Sequence, residues 1–162
     1  TPFHGEKATT WEGGMRVPAI AWMPSRIQPR TAHIVASALD LFPTALAMGT
    51  APLPAEVTLD GRDISPFLFE EKLPPKKPFF FYRNKEVFAV RLGQWKAHFK
   101  TRPAYEKEAA QPHDPPLLFH LGRDPSEKRP RPLGPVTEPV QAEIKAALEA
   151  HRVTRKKVPD QF

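Results

Sequence analysis

Hydrophobic and polar positions change their period partway along the chain. Residues 1–16 are polar and glycine-bearing, a loop by composition. Residues 17–23, Val-Pro-Ala-Ile-Ala-Trp-Met, form a short apolar run closed by Pro24. At that length the run predicts a buried strand, with Pro18 at its start where a ladder donor is least missed. The stretch 33–49 has helical spacing interrupted by Pro43. It predicts a helix capped by Asp40, with Pro43 in the first turn and Gly49 closing it. Residues 50–78 carry six prolines and predict a connector with a short helical turn at 65–69. From residue 79 the apolar period becomes two. Residues 79–83, 86–92 and 94–101 predict three strands, the last two joined by a Gly93-Gln94 hairpin turn. Val87, Ala89 and Arg91 then point to one side of the sheet, and Phe88, Val90 and Leu92 to the other. Residues 102–116 predict a polar loop, and 117–121 a fourth strand. After a charged, proline-rich segment, Thr137 is expected to cap a helix running to about residue 152, with Glu138 and Pro139 in its first turn. Val136, Val140, Ile144, Leu148 and His151 fall near one face of it. The tail 155–159 is expected to fray.

These elements imply an α/β chain in three parts. Residues 1–50 are expected to be a slice of a larger α/β domain, because a lone apolar strand needs partners that the segment does not supply. Residues 51–77 connect it to a small α+β subdomain, 78–162, with four antiparallel strands and one packed helix. Composition narrows the chemistry. There are 21 prolines in 162 residues, more than twice the usual ~5%, which argues against a helical bundle. With no cysteine there is no disulfide, thiol nucleophile or Cys-ligated metal. No apolar run is long enough to cross a membrane as a helix. The one asparagine, Asn84, is followed by Lys85-Glu86 and makes no glycosylation sequon. The formal charge is +6, but the basic clusters at 72–77, 123–131 and 152–157 lack interleaved aromatics. They favour solvated charge over a nucleic-acid surface. None of the six histidines pairs with another at the spacing of a metal-binding helix. Asp60 and Asp63 are only two carboxylates, against the six to eight oxygens calcium takes, and are expected to brace their turn. The chain begins at Thr1 amid dense motif-like sequence, and is expected to be a piece of something longer.

Five collinear stretches across residues 3–127 carry a resemblance. They are Glu6-Lys7-Ala8-Thr9-Thr10-Trp11-Glu12-Gly13-Gly14-Met15-Arg16-Val17-Pro18, Asp40-Leu41-Phe42-Pro43-Thr44, Leu59-Asp60-Gly61-Arg62-Asp63 with Ser65-Pro66, Arg91 through Phe99, and Leu118 through Glu127. Together they resemble the type I, formylglycine-dependent sulfatases, and most closely their N-acetylgalactosamine-6-sulfatase and arylsulfatase A branch. Glu6 stands where the family usually has glycine. The resemblance implies the C-terminal part of an alkaline-phosphatase-like α/β hydrolase of sulfate esters, acting on a sulfated small molecule or glycan. It places Lys7 on the substrate sulfate as a catalytic and binding residue. It places His98 toward the substrate pocket; the alternative, by its place in a strand alone, is a plain packed histidine. Glu12, Gly13, Gly14 and Arg16 are architectural in this reading, the charges paired and the glycines in a tight turn.

The resemblance also implies parts that this sequence does not carry. Trp22-Met23-Pro24-Ser25-Arg26 ends like the family's nucleophile motif, but Trp22 cannot become an aldehyde. The formylglycine precursor and the acidic metal pairs are expected in a missing N-terminal catalytic part, which would be this chain's partner. Calcium is implied for that parent and none for this chain alone, so the fragment is expected to be inactive by itself. No nucleic acid or membrane partner is expected. Two rival expectations are a non-catalytic sulfatase-like remnant and an anion-binding module.

Overall fold

A computed structural model describes residues 2–103 and 109–154. The elements in order are α1 (Glu12–Met15), a 3-10 turn (Ala38–Asp40), α2 (Leu41–Met48), α3 (Ser65–Glu70), β1 (Phe79–Arg83), β2 (Glu86–Leu92), β3 (Trp95–Thr101), β4 (Gln111–His120) and α4 (Thr137–Thr154). They form two compact units. Residues 1–17 belong with 76–162, and residues 18–75 form the other.

In the first unit the four strands make one antiparallel meander in the order β1-β2-β3-β4. Period-two alternation sorts their side chains onto two faces. Phe80, Val90, Ala97 and Leu118 lie opposite one another in successive strands. This face packs on Ile144 and Leu148 of α4, both buried. The other face carries Phe81, Ala89 and His98 in one row, and Arg91, Lys96 and Phe119 in the next. The N-terminal loop covers it through Trp11, which is buried with Phe119 and Leu121.

The hairpin turn at Gly93 forms as expected, with the glycine at φ +61°. Asn84 takes a similar positive φ, 53°, between β1 and β2; asparagine is among the few residues that tolerate it. The fourth strand starts at Gln111, six residues earlier than predicted. Three prolines lie in the added stretch, yet it is tolerated because β4 pairs with β3 on one side at the sheet edge. Within the predicted loop, residues 104–108 lie outside the described set, as does the tail 155–159. Thr137 does not cap α4 with its hydroxyl. Instead the Oγ1 donates to the Pro132 carbonyl at 2.8 Å, and Thr137 is the first helical residue. Val136 is 73% exposed and leaves the predicted apolar face.

In the second unit the predicted strand 17–23 does not form. Ile20 and Trp22 are 94% and 82% exposed. A strand needs a ladder partner, and no described segment supplies one here. Residues 33–37 are not helical, and α2 starts at Leu41 with Pro43 in its first turn and Gly49 after its last residue, as expected. Ser37 rather than Asp40 makes the side-chain cap, in a capping box where Ser37 N donates to Asp40 Oδ2 at 2.8 Å. Asp40 Oδ1 accepts from Arg62 N at 2.9 Å, and Thr44 Oγ1 accepts from Ile64 N at 3.0 Å. The Asp40–Thr44 and Leu59–Asp63 motifs are thus two halves of one knot. Gly61 lies so close to the Leu39 carbonyl that a Cβ would sit 1.9 Å from its oxygen.

Candidate functional site

Lys7 is exposed on a loop that has no regular ladder. Its neighbours are nevertheless tied. Glu6 O accepts from both Thr9 N (3.0 Å) and Thr9 Oγ1 (2.7 Å). Ala8 takes a left-handed φ of 67°, and its carbonyl accepts from Arg83 of β1. The loop closes on itself where Gly13 N donates to His4 O at 2.7 Å. A Cβ on Gly13 would lie 2.5 Å from that oxygen, and one on Gly14 2.4 Å from Glu6 O. The Gly-Gly pair is required by close backbone approach.

Behind this loop lies a buried charge cluster. Lys96 is 0% exposed, Glu12 2% and Glu127 2%. The Lys96 ammonium donates to Glu12 Oε1 at 2.9 Å and pairs with Glu127 Oε1 at 3.1 Å. Glu12 N donates to Glu127 Oε2 at 2.6 Å. Arg91 Nη1 adds a 3.3 Å contact to Glu12 Oε2. Arg16, the partner expected for Glu12, stands farther off at 3.9 Å. Two carboxylates thus face two strand cations, which is what permits their burial.

His98 sits inside the same cluster. Its Nε2 is 2.7 Å from Glu127 Oε1, and its Nδ1 is buried without a partner. Its ring packs on Trp11 at 4.2 Å, and His4 stacks on Trp11 at 4.3 Å. Enclosed in this way, His98 presents neither ring nitrogen to a ligand within this chain. The structure therefore separates the two residues expected at the substrate: Lys7 faces outward, and His98 lies behind its loop. The sequence reading missed Lys96 and Glu127. The available signal was that Lys96 and His98 both point to the face of Arg91, so three polar side chains share what should be an apolar layer.

Burial pushes the His98 imidazole down to about 4, against the Glu127 hydrogen bond that favours its charged form. Burial pushes the Glu127 carboxyl up, but the His98 hydrogen bond and the Lys96 ammonium outweigh it and hold the carboxyl below its ordinary value. Both shifts make the unfolded chain bind more protons than the folded one in acid. Stability is therefore full above about pH 6.5 and falls as pH drops toward 4. The His98 shift alone is worth about 3 kcal/mol across that window. Urea unfolding of the full-length protein at pH 7 and pH 4.5 should show the loss, and His98→Gln should flatten it. An unchanged slope in the variant would remove His98 as its source.

Among the described residues no group of three His, Asp or Glu could hold a metal ion. Asp63 Oδ1 is taken by Ser65 N at 2.7 Å. The donors here do not fit a calcium site.

The sequence and the fold both have known relatives. A family model described as the C-terminal region of aryl-sulfatase matches residues 74–162, and a second, described as sulfatase, matches residues 1–50. Human (Homo sapiens) arylsulfatase A is 45% identical over 137 residues, 75% of this chain and 27% of that protein. N-acetylgalactosamine-6-sulfatase of Canis lupus familiaris is 40% identical over 150 residues, 80% of this chain and 28% of that protein. The crystal structure of the PsFucS1 sulfatase from Pseudoalteromonas sp. superposes with a TM-score of 0.82 at 28% identity, covering 99% of this chain and 34% of that one. The chain spans little more than a quarter of the two curated relatives, but with its sheet, helix and motif loop all matched, it belongs to the sulfatase family.

Proposed function

We propose that this chain is the C-terminal part of an enzyme that hydrolyses sulfate esters of a sugar or aryl alcohol, and that Lys7 is its contribution to the reacting centre. The carrying observation is the contrast at Lys7: an exposed ammonium on a loop whose flanking carbonyls, Glu6 O and Ala8 O, are both fixed. In the reaction a nucleophile attacks sulfur, the S–O ester bond breaks, and the electron pair leaves with the alcohol oxygen. Negative charge grows on that oxygen. A compact ammonium within reach of the sulfate and the leaving oxygen offsets this charge without rearranging. The nucleophile and any calcium would come from residues outside this chain. The exposed apolar surface of the second unit, with Ile20, Trp22 and Leu73 at its most open points, supports a reading in which further protein covers it.

The test is turnover by the full-length protein. Release of inorganic sulfate from an aryl sulfate or a 6-sulfated monosaccharide is expected, with the alcohol formed in equal amount. Failure to release sulfate from either class would leave a non-catalytic relative as the correct reading.

A further inference from the structure

We propose that the buried Glu12–Lys96–Glu127 cluster, with His98, is a positioning element for Lys7: it pins the motif loop to the sheet so that the ammonium is held at one place. This rests on the reading of Lys7 as a sulfate contact. The geometry has three features that packing alone does not require. First, the contacts are directional. Glu12 is gripped at its backbone N–H by Glu127 (2.6 Å) and at its side chain by Lys96 (2.9 Å) and Arg91 (3.3 Å). Each bond fixes an orientation that an apolar contact would leave free. Second, the grip comes from three separate segments: β2, β3 and the 121–129 loop. The position of Glu12 is thereby determined in three dimensions. Third, the grip is transmitted. Between Glu12 and Lys7 the loop is stiffened by the buried Thr9, which holds Glu6 O with both its backbone and its hydroxyl, and Arg83 holds Ala8 O. Buried ion pairs add little stability over apolar residues of the same volume. Their effect here is to fix the site.

Glu127 and Lys96 are both buried, so they act through Lys7 if they act on the reaction. Misplacing a charge by about 1 Å costs up to about 10²-fold in rate. The test is a double-mutant cycle on kcat in the full-length protein, measured on material shown to be folded by circular dichroism. Glu127→Gln keeps the size of the side chain but leaves one oxygen to serve Glu12 N, Lys96 and His98. It should lower kcat about tenfold or more and change KM less. In a Lys7→Ala background the same substitution should lower kcat no further, because the group it positions is gone. A merely structural role would show the same factor in both backgrounds, and that outcome overturns the proposal. So does an unchanged kcat in folded Glu127→Gln. If Lys7→Ala itself leaves kcat unchanged, the reading of Lys7 fails first, and the inference with it. Where Glu127→Gln does not fold, Thr9→Val removes the hydroxyl bond to Glu6 O at nearly constant volume, and the same two-background comparison decides.

Discussion

Replacing Lys7 by alanine in the full-length protein is expected to lower kcat by ~10²–10³, or about 3–4 kcal/mol of transition-state stabilisation, the loss typical of one preorganised charge partner. The fall should appear in kcat as well as in kcat/KM, because the contact strengthens as charge moves onto the leaving oxygen. Folding should be untouched. Lys7 is exposed, and its neighbours are held by backbone and Thr9 contacts that the substitution leaves in place. The pH-dependent unfolding of Lys7→Ala should therefore overlay that of the parent. Lys7→Arg should recover only part of the rate, since a planar fork on a longer stem does not reproduce a point charge. Steady-state kinetics with an aryl sulfate separates the outcomes. A near-normal kcat in Lys7→Ala, or a protein that no longer folds, would remove Lys7 from the reacting centre.

What could be read from the sequence is what short-range pattern controls. β1, β2 and the hairpin at Gly93 were legible because alternation and a two-residue turn act within a few positions. α4 was legible from Val140, Ile144 and Leu148 at helical spacing. The run 17–23 was misread because burial in a strand depends on a partner elsewhere, and none of the described residues pairs with it. The early start of β4 was hidden by prolines that only an edge position excuses. Lys7 is singled out by motif resemblance alone; nothing in its local chemistry sets it apart from other exposed lysines. The cluster behind it was invisible for a related reason. Glu12 meets Lys96 across 84 positions and Glu127 across 115. No local spacing encodes such a contact, and His98 could be placed inside the protein only once the sheet had put Trp11 and Glu127 around it.

Lys96→Met should destabilise the protein by about 3–5 kcal/mol at pH 7, the cost of breaking a buried pair from one side. Methionine retains most of the stem, including the contact with the Phe81 ring, over which the ammonium sits at 4.2 Å. The loss is thus chiefly of charge. Two carboxylates then remain in the cluster, Glu127 with only His98 and Glu12 N, and Glu12 with the more distant Arg91. Burial now acts on them without the ammonium to oppose it, so at least one carboxyl should rise above its ordinary value. A carboxyl raised in the folded state holds its proton more tightly there than in the unfolded chain. The variant accordingly regains stability as pH falls through the raised value. The parent does the opposite, losing stability toward acid through His98 and Glu127. The gap between parent and variant should therefore be widest near pH 7 and narrow by pH 5. Urea unfolding of both proteins at the two pH values measures it directly. A gap below about 1 kcal/mol at pH 7 would mean that solvent reaches the cluster, since only exposed pairs are worth so little. A gap that stayed constant with pH would show that the lost contact was packing, and that the ammonium of Lys96 does not hold the two carboxylates in their charged form.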